Sequence, residues 1–192
     1  MPFGKTELKN WLLILPIVFS SKLVLASDVK LLREPDLSGD TLVFTYARDI
    51  WKTSLGGGEA TRITSFQGQE MHPSISPDGQ WVAFTGDYEG NQDVYVTAIT
   101  GGVPKRLTFH PVADSVAGWS SNGKSVLFSS GRSNAPRGQS QLFTISVDGG
   151  IPTQLPMNRA LDGAFSADGQ QMVYRRAELW DTGWRNYRGG QN

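Results

Sequence analysis

The sequence holds few side chains that could take part in catalysis. It has two histidines, His72 and His110, and no cysteine among 192 residues. A catalytic histidine needs a nucleophile and an orienting carboxylate that converge on it, and the sequence around these two histidines offers neither. The chain also lacks the G-x-S-x-G and H-E-x-x-H motifs. We therefore predict no catalytic, cofactor-binding or metal-binding residue here, and we expect both histidines to be structural.

The residues best suited to contact a ligand lie near the C-terminus, where arginines and aromatic residues are interleaved. Arginine beside tryptophan and tyrosine can form a surface that recognises carboxylates or peptides. The alternative is an insertion that packs its aromatic rings against the rest of the fold. The candidate peptide-contact residues are Arg176, Trp184, Arg185, Tyr187 and Arg188.

Other charged residues recur at matching places along the chain. Asp49 and Asp93 each open an aspartate, aliphatic, aromatic triplet, and Arg62 and Arg106 each open an arginine, aliphatic, threonine triplet. We predict that the aspartates accept hydrogen bonds from turn amides rather than bind a metal. For the arginines we predict protection of an exposed strand edge rather than a binding patch.

These triplets belong to a repeat whose clearest copy spans residues 71–108. Its turns are marked by Pro77-Asp78-Gly79, Gly90-Asn91 and Gly101-Gly102. The segments between these turns are short and rich in β-forming residues, which predicts four antiparallel strands. The predicted strands are His72–Ser76, Gln80–Thr85, Asp93–Ile99 and Val103–Thr108.

The same pattern recurs on both sides of this copy, and its turn glycines Gly39, Gly79, Gly123 and Gly169 are 40, 44 and 46 residues apart. In Trp81–Phe84 both faces of the strand are apolar, so each sheet must be covered on both sides. Stacking around an axis achieves this, and we predict an all-β propeller of four-stranded antiparallel blades. A two-sheet β-sandwich is the alternative. About three and a half blades are present, near residues 30–66, 71–108, 114–155 and 161–192.

Residues 1–26 have the layout of a secretory signal peptide. Lys5 and Lys9 precede the apolar run Trp11–Phe19, and small or aliphatic residues lead to a cleavage site after Ala26. We expect a periplasmic or secreted protein, with an uncleaved anchor as the alternative. The remaining residues 27–192 carry 15 basic and 17 acidic side chains. That balance argues against a nucleic-acid partner, and nothing beyond the leader suggests a membrane.

The repeated S-x-D-G, D-[VI]-[YW], G-G and R-[IL]-T elements resemble the propeller repeats of the tricorn protease family and of the periplasmic Tol-associated propeller protein. The C-terminal segment 184–190, Trp-Arg-Asn-Tyr-Arg-Gly-Gly, and the early segment 35–44 are more specifically similar to the first propeller of the tricorn family. The resemblance covers residues 30–190.

This resemblance implies a very large, usually hexameric serine peptidase that acts on short peptides, with propellers that form a passage to a distant catalytic core. The chain would then hold part of the first propeller and no catalytic residue, and its partners would be peptides, the remainder of the peptidase and copies of the full-length protein. Archaeal members carry a basic pair in the loop between the second and third blades, where it holds the C-terminus of the peptide. The corresponding loop 109–114 has no arginine, so we do not assign this role to it.

Two other interpretations remain open at the level of sequence. One is a non-enzymatic periplasmic propeller scaffold for protein–protein interaction, as in the Tol-associated protein. The other is a propeller attached to a different hydrolase. About 166 residues after the leader are too few for a closed propeller of four to eight blades. We therefore expect the chain to be the N-terminal piece of a longer protein.

Overall fold

The computed structural model describes residues 32–133, 139–157 and 159–176. These residues form fourteen β-strands and no helix. No segment of this described part is a helix long and apolar enough to cross a membrane. The predicted leader 1–26 and the candidate contacts Trp184, Arg185, Tyr187 and Arg188 lie outside the described residues.

The strands group into blades in chain order. Blade 1 consists of β1 (Arg33–Ser38), β2 (Thr41–Tyr46), β3 (Asp49–Ser54) and β4 (Thr61–Arg62). Blade 2 consists of β5 (Gln69–Ile75), β6 (Trp81–Asp87), β7 (Gln92–Ala98) and β8 (Lys105–Arg106). Blade 3 consists of β9 (Asp114–Trp119), β10 (Ser125–Ser130), β11 (Gln141–Ser146) and β12 (Thr153–Gln154). Blade 4 contributes β13 (Asp162–Phe165) and β14 (Met172–Arg175).

Each complete blade is a meander in which every strand pairs antiparallel with its neighbours in the sequence. This confirms the all-β propeller with three four-stranded blades and the beginning of a fourth. The outermost strand of blade 2 is shorter than predicted, with only Lys105 and Arg106 paired. Pro104 has no amide hydrogen to donate, which limits pairing on its side. Beyond the strand, the Leu107 amide still donates to the Val94 carbonyl at 2.8 Å.

The repeated S-x-D-G element is a turn closed by side chains. In blade 2 the Ser76 hydroxyl donates to Asp78 Oδ1 at 2.5 Å, and the Gln80 amide donates to the same oxygen at 3.0 Å. The Ser76 hydroxyl bond is the main reason that the pKa of Asp78 lies below its usual range. Gly79 follows with a φ of 71°, a conformation that favours glycine. Ser166 and Asp168 repeat the arrangement in blade 4, which explains the spacing of the motif.

Apolar side chains fill the space between successive blades. Val82, Ala83 and Phe84 in β6 have no exposed surface, so both faces of this strand are covered, as the sequence predicted. Trp81 differs from that expectation because it opens the strand at the end of the sheet, where its side chain is 45% exposed. Burial on both faces is the driving force that stacks the blades.

The aspartate and arginine triplets bind strand four to strand three. Asp93 is 1% exposed and accepts Arg106 Nη2 at 2.7 Å and the Thr108 hydroxyl at 2.9 Å. The Thr108 hydroxyl in turn accepts the Val94 amide at 2.9 Å. The Asn91 side-chain amide, from the turn before β7, also donates to Asp93 Oδ2 at 3.1 Å, so Asp93 serves a turn amide as predicted and forms in addition an ion pair that the sequence did not suggest. Protection of the strand edge by Arg106 stays a prediction. A two-residue strand offers few backbone bonds, and these side chains supply the missing ones.

A buried carboxylate joins blade 1 to blade 2. Glu70 in β5 has no exposed surface, and it accepts the Ile50 amide at 3.0 Å and the Tyr88 hydroxyl at 2.5 Å. It also accepts the hydroxyl of Thr64. Burial is the largest influence on this carboxyl and raises its pKa, while the three hydrogen bonds act in the opposite direction. Glu70 therefore accepts hydrogen bonds from buried donors of both blades, although removing its carboxylate from water costs free energy.

The substitution Glu70→Gln tests this pKa shift. Because folding raises the pKa of Glu70 above its ordinary value of 4.5, its carboxyl stabilises the fold most below that pH. This contribution falls as pH rises through 4.5 toward the raised pKa, by about 1.4 kcal/mol per unit of pKa difference. The stability of wild type relative to Glu70→Gln should therefore decrease in urea unfolding as the pH is raised above 4.5.

The matched control is Glu59→Gln, which alters an exposed glutamate in a loop of blade 1. It shows what the same substitution does at an exposed position. A flat pH profile of the stability difference for Glu70→Gln would show that folding leaves the proton affinity of Glu70 unchanged.

Candidate functional site

The first strands of the four blades lie side by side. β5 contacts both β1 and β9, and β9 also contacts β13. In a propeller these innermost strands surround the central axis. They line a pocket of about 380 Å³. The polar side chains that the pocket brings together include Glu34, Asp36, His72, Ser115, Asp162 and Arg175.

Irregularities in β1 and β5 help to place these side chains. The pairing register shifts between Arg33 and Asp36 in blade 1, and between Met71 and Ser74 in blade 2. Glu34 and His72 lie within these shifts and have φ values of 51° and 50°, in the left-handed region that few residues other than glycine adopt. A bulge of this kind re-aims side chains relative to a regular strand. The backbone strain therefore recurs at equivalent positions of two blades, next to the axis.

His72 connects three blades through its ring. The Ser115 hydroxyl of β9 lies 3.1 Å from Nδ1, and Glu34 Oε1 of β1 lies 3.5 Å from Nε2. The His72 amide also donates to Glu34 Oε2 at 2.7 Å. The sequence suggested no nucleophile or carboxylate near this histidine because its partners are 43 and 38 residues away. Counting back from the turn glycines Gly39 and Gly79 aligns Glu34 with Ser74, so the repeat gave no direct signal for the pair Glu34 and His72.

The order serine, histidine, carboxylate resembles that of a hydrolytic triad, but its geometry does not support acyl transfer. The Nε2 to Oε1 separation of 3.5 Å is longer than a normal hydrogen bond. An oxyanion also needs free donors, whereas the His72 amide donates to Glu34 and the Val116 amide donates to the Thr85 hydroxyl at 2.9 Å. These three side chains join the blades and present polar groups to the pocket. We assign them no catalytic role.

Backbone amides hold the pocket's carboxylates in place. The Ile75 amide of blade 2 donates to Asp36 Oδ2 at 2.6 Å, and the Gly163 amide donates to Asp162 Oδ1 at 2.8 Å. Arg175 lies directly opposite Asp162 in the pairing of β13 with β14. The pocket thus combines carboxylates fixed by the fold with a guanidinium and an imidazole.

The other candidate residues lie elsewhere. His110 shapes the loop between blades 2 and 3: its Nδ1 accepts the Val112 amide at 3.1 Å, and its carbonyl accepts the Asn91 side-chain amide at 2.8 Å. Arg176 is exposed and lines a separate pocket with Arg159 and Tyr174. No group of three or more potential metal ligands occurs within the described ranges.

Solved structures of similar fold include TolB from Acinetobacter baumannii and the tricorn protease. The TolB match has a TM-score of 0.67 at 22% identity and covers 79% of this chain and 39% of that one. The match to the tricorn protease has a TM-score of 0.64 at 25% identity and covers 73% of this chain and 14% of that one. Both superpose on a propeller, and at such identities the TolB match indicates fold alone.

Sequence relatives point in one direction. The chain is 35% identical over 165 residues to tricorn protease homolog 1 of Streptomyces coelicolor, covering 83% of this chain and 15% of the relative. It is 29% identical over 161 residues to a protein named as a tricorn-like protease N-terminal subunit from Sulfurisphaera tokodaii, of which it covers 80%. It therefore spans about a seventh of the Streptomyces relative and most of the Sulfurisphaera one. Residues 29–192 match the model of the tricorn protease N-terminal β-propeller domain, and the chain belongs to that family.

Proposed function

We propose that this chain is the N-terminal propeller section of a tricorn-like serine peptidase, and that its inner strands line a route for short peptides to or from a distant catalytic core. The observation that carries the proposal is the pocket bounded by the first strands of all four blades. The side chains that line such a route must contact peptides without holding them in an apolar site. Glu34, His72 and Ser115 provide such polar contacts at this point.

The arrangement of the blades supports passage rather than chemistry in this section. Glu34, His72 and Ser115 contact one another, and His72 is not organised as a catalytic base. In this proposal the serine nucleophile and its histidine belong to the rest of the peptidase. We also propose that the full-length protein forms homo-oligomers.

A substitution that narrows the proposed peptide route tests this proposal. Ser115→Trp in the full-length protein places a large ring at the pocket, so the kcat/KM for peptides of several residues should fall at least several-fold. Glu59→Trp, at an exposed position of blade 1, is the matched control and should leave hydrolysis unchanged. Rates are measured with internally quenched fluorescent peptides, and circular dichroism verifies that each variant is folded.

Unaltered hydrolysis by a folded Ser115→Trp variant would remove this pocket from the peptide route. If the wild-type full-length protein hydrolyses no peptide at all, the proposal fails and the protein-binding scaffold becomes the better account. TolB-like propellers share the fold that such a scaffold would use.

We also propose that the protein is exported, on the basis of the leader-like residues 1–26. The mature chain should begin at Ser27 when the protein is produced in a bacterium and recovered from the periplasm. Intact mass measurement and N-terminal sequencing read this directly. A cytoplasmic product that retains residues 1–26 would refute export, and a membrane-bound one would favour the uncleaved anchor.

A further inference from the structure

The charges that line the inner-strand pocket are unevenly distributed around its arc. Glu34 and Asp36 come from β1 at one end of the arc, and Arg175 comes from β14 at the other. His72 and Ser115 lie on the strands between these ends. In blade order the pocket therefore runs from an anionic side, across neutral or weakly basic groups, to a side that carries a guanidinium.

The anionic side is pre-organised by the backbone of blade 2. The His72 amide holds Glu34 Oε2 at 2.7 Å, and the Ile75 amide holds Asp36 Oδ2 at 2.6 Å. The Thr45 hydroxyl adds a bond to Glu34 Oε2 at 3.3 Å. Carboxylates fixed in this way lose little freedom when a cation binds, so less binding energy is spent on ordering them. An ammonium group has three donors and can bond to two carboxylates at once.

The opposite side can recognise an anion. The Arg175 side chain is exposed and lines the pocket. A guanidinium presents a planar fork that fits a carboxylate. Asp162 lies opposite Arg175 in the pairing of β13 with β14, and both residues line the pocket. This carboxylate would keep Arg175 from holding a ligand anion too strongly, a property that suits transient occupancy.

We propose that this pocket binds a small zwitterion, a dipeptide, with its ammonium group at Glu34 and Asp36 and its carboxylate at Arg175. The middle of the ligand faces His72 and Ser115. A pocket of about 380 Å³ lies in the size range of small-ligand sites. The inference rests on the proposed passage of short peptides. It adds the class of ligand held there, a molecule of the size of a peptidase product that carries both a free ammonium group and a free carboxylate.

Isothermal titration of the full chain with alanyl-alanine, its N-acetylated form and its C-terminal amide tests the proposal. The unmodified dipeptide should bind, and removal of either terminal charge should weaken the Kd at least tenfold. Asp36→Asn keeps an oxygen acceptor for the Ile75 amide but loses the charge, and Arg175→Gln loses the guanidinium. Each should weaken binding at least tenfold, whereas the charge-matched controls Asp148→Asn and Lys124→Gln, both at exposed positions, should not.

A second readout does not depend on variants. Amide and ring NMR signals of His72 and Ser115 should shift on addition of alanyl-alanine to the wild-type chain. The proposal is overturned if the dipeptide does not bind, if the acetylated or amidated form binds as well as the dipeptide, or if binding persists in folded Asp36→Asn and Arg175→Gln variants. Any of these results can coexist with slowed hydrolysis by Ser115→Trp, so failure of the zwitterion site is distinguishable from failure of the passage.

Discussion

The architecture depends on one constraint: the sheets of this chain are apolar on both faces and cannot be stable unless neighbours cover them. Val82, Ala83 and Phe84 have no exposed surface because blades 1 and 3 lie against blade 2. Glu70 shows how a polar group is accommodated at such an interface, because its carboxylate accepts hydrogen bonds from Ile50, Thr64 and Tyr88. Stacking of the blades therefore holds their first strands beside one another, and these strands form the pocket.

The pocket is polar because the innermost strands depart from regular pairing. Bulges at equivalent places in β1 and β5 carry Glu34 and His72 in strained conformations, and hydrogen bonds between blades hold them. Strain that is retained at a site and supported by its surroundings commonly marks function. Here it places a carboxylate and an imidazole next to the axis, where a solute passing through the propeller would meet them.

Local signals in the sequence were enough to predict the blades. The S-x-D-G turns, the glycine spacing and the apolar runs each act over a few residues, so the strand order and repeat could be predicted. The short outermost strand was missed because Pro104 and the Asp93, Arg106 and Thr108 bonds replace backbone pairing there. The site was missed for a different reason. The contacts of His72 with Glu34 and Ser115 span 38 and 43 residues and exist only after blades have stacked.

The central claim, that the first strands surround a pocket open to small solutes, can be measured through the reactivity of a thiol. The chain has no cysteine, so Ser115→Cys introduces a single one. Its labelling by iodoacetamide should be rapid, should be slowed by excess alanyl-alanine, and should be much slower with a polymer-linked maleimide. The exposed control Glu59→Cys should react with both reagents and be indifferent to the dipeptide. Equal labelling of the two positions by the bulky reagent, or no labelling at position 115, would contradict the account.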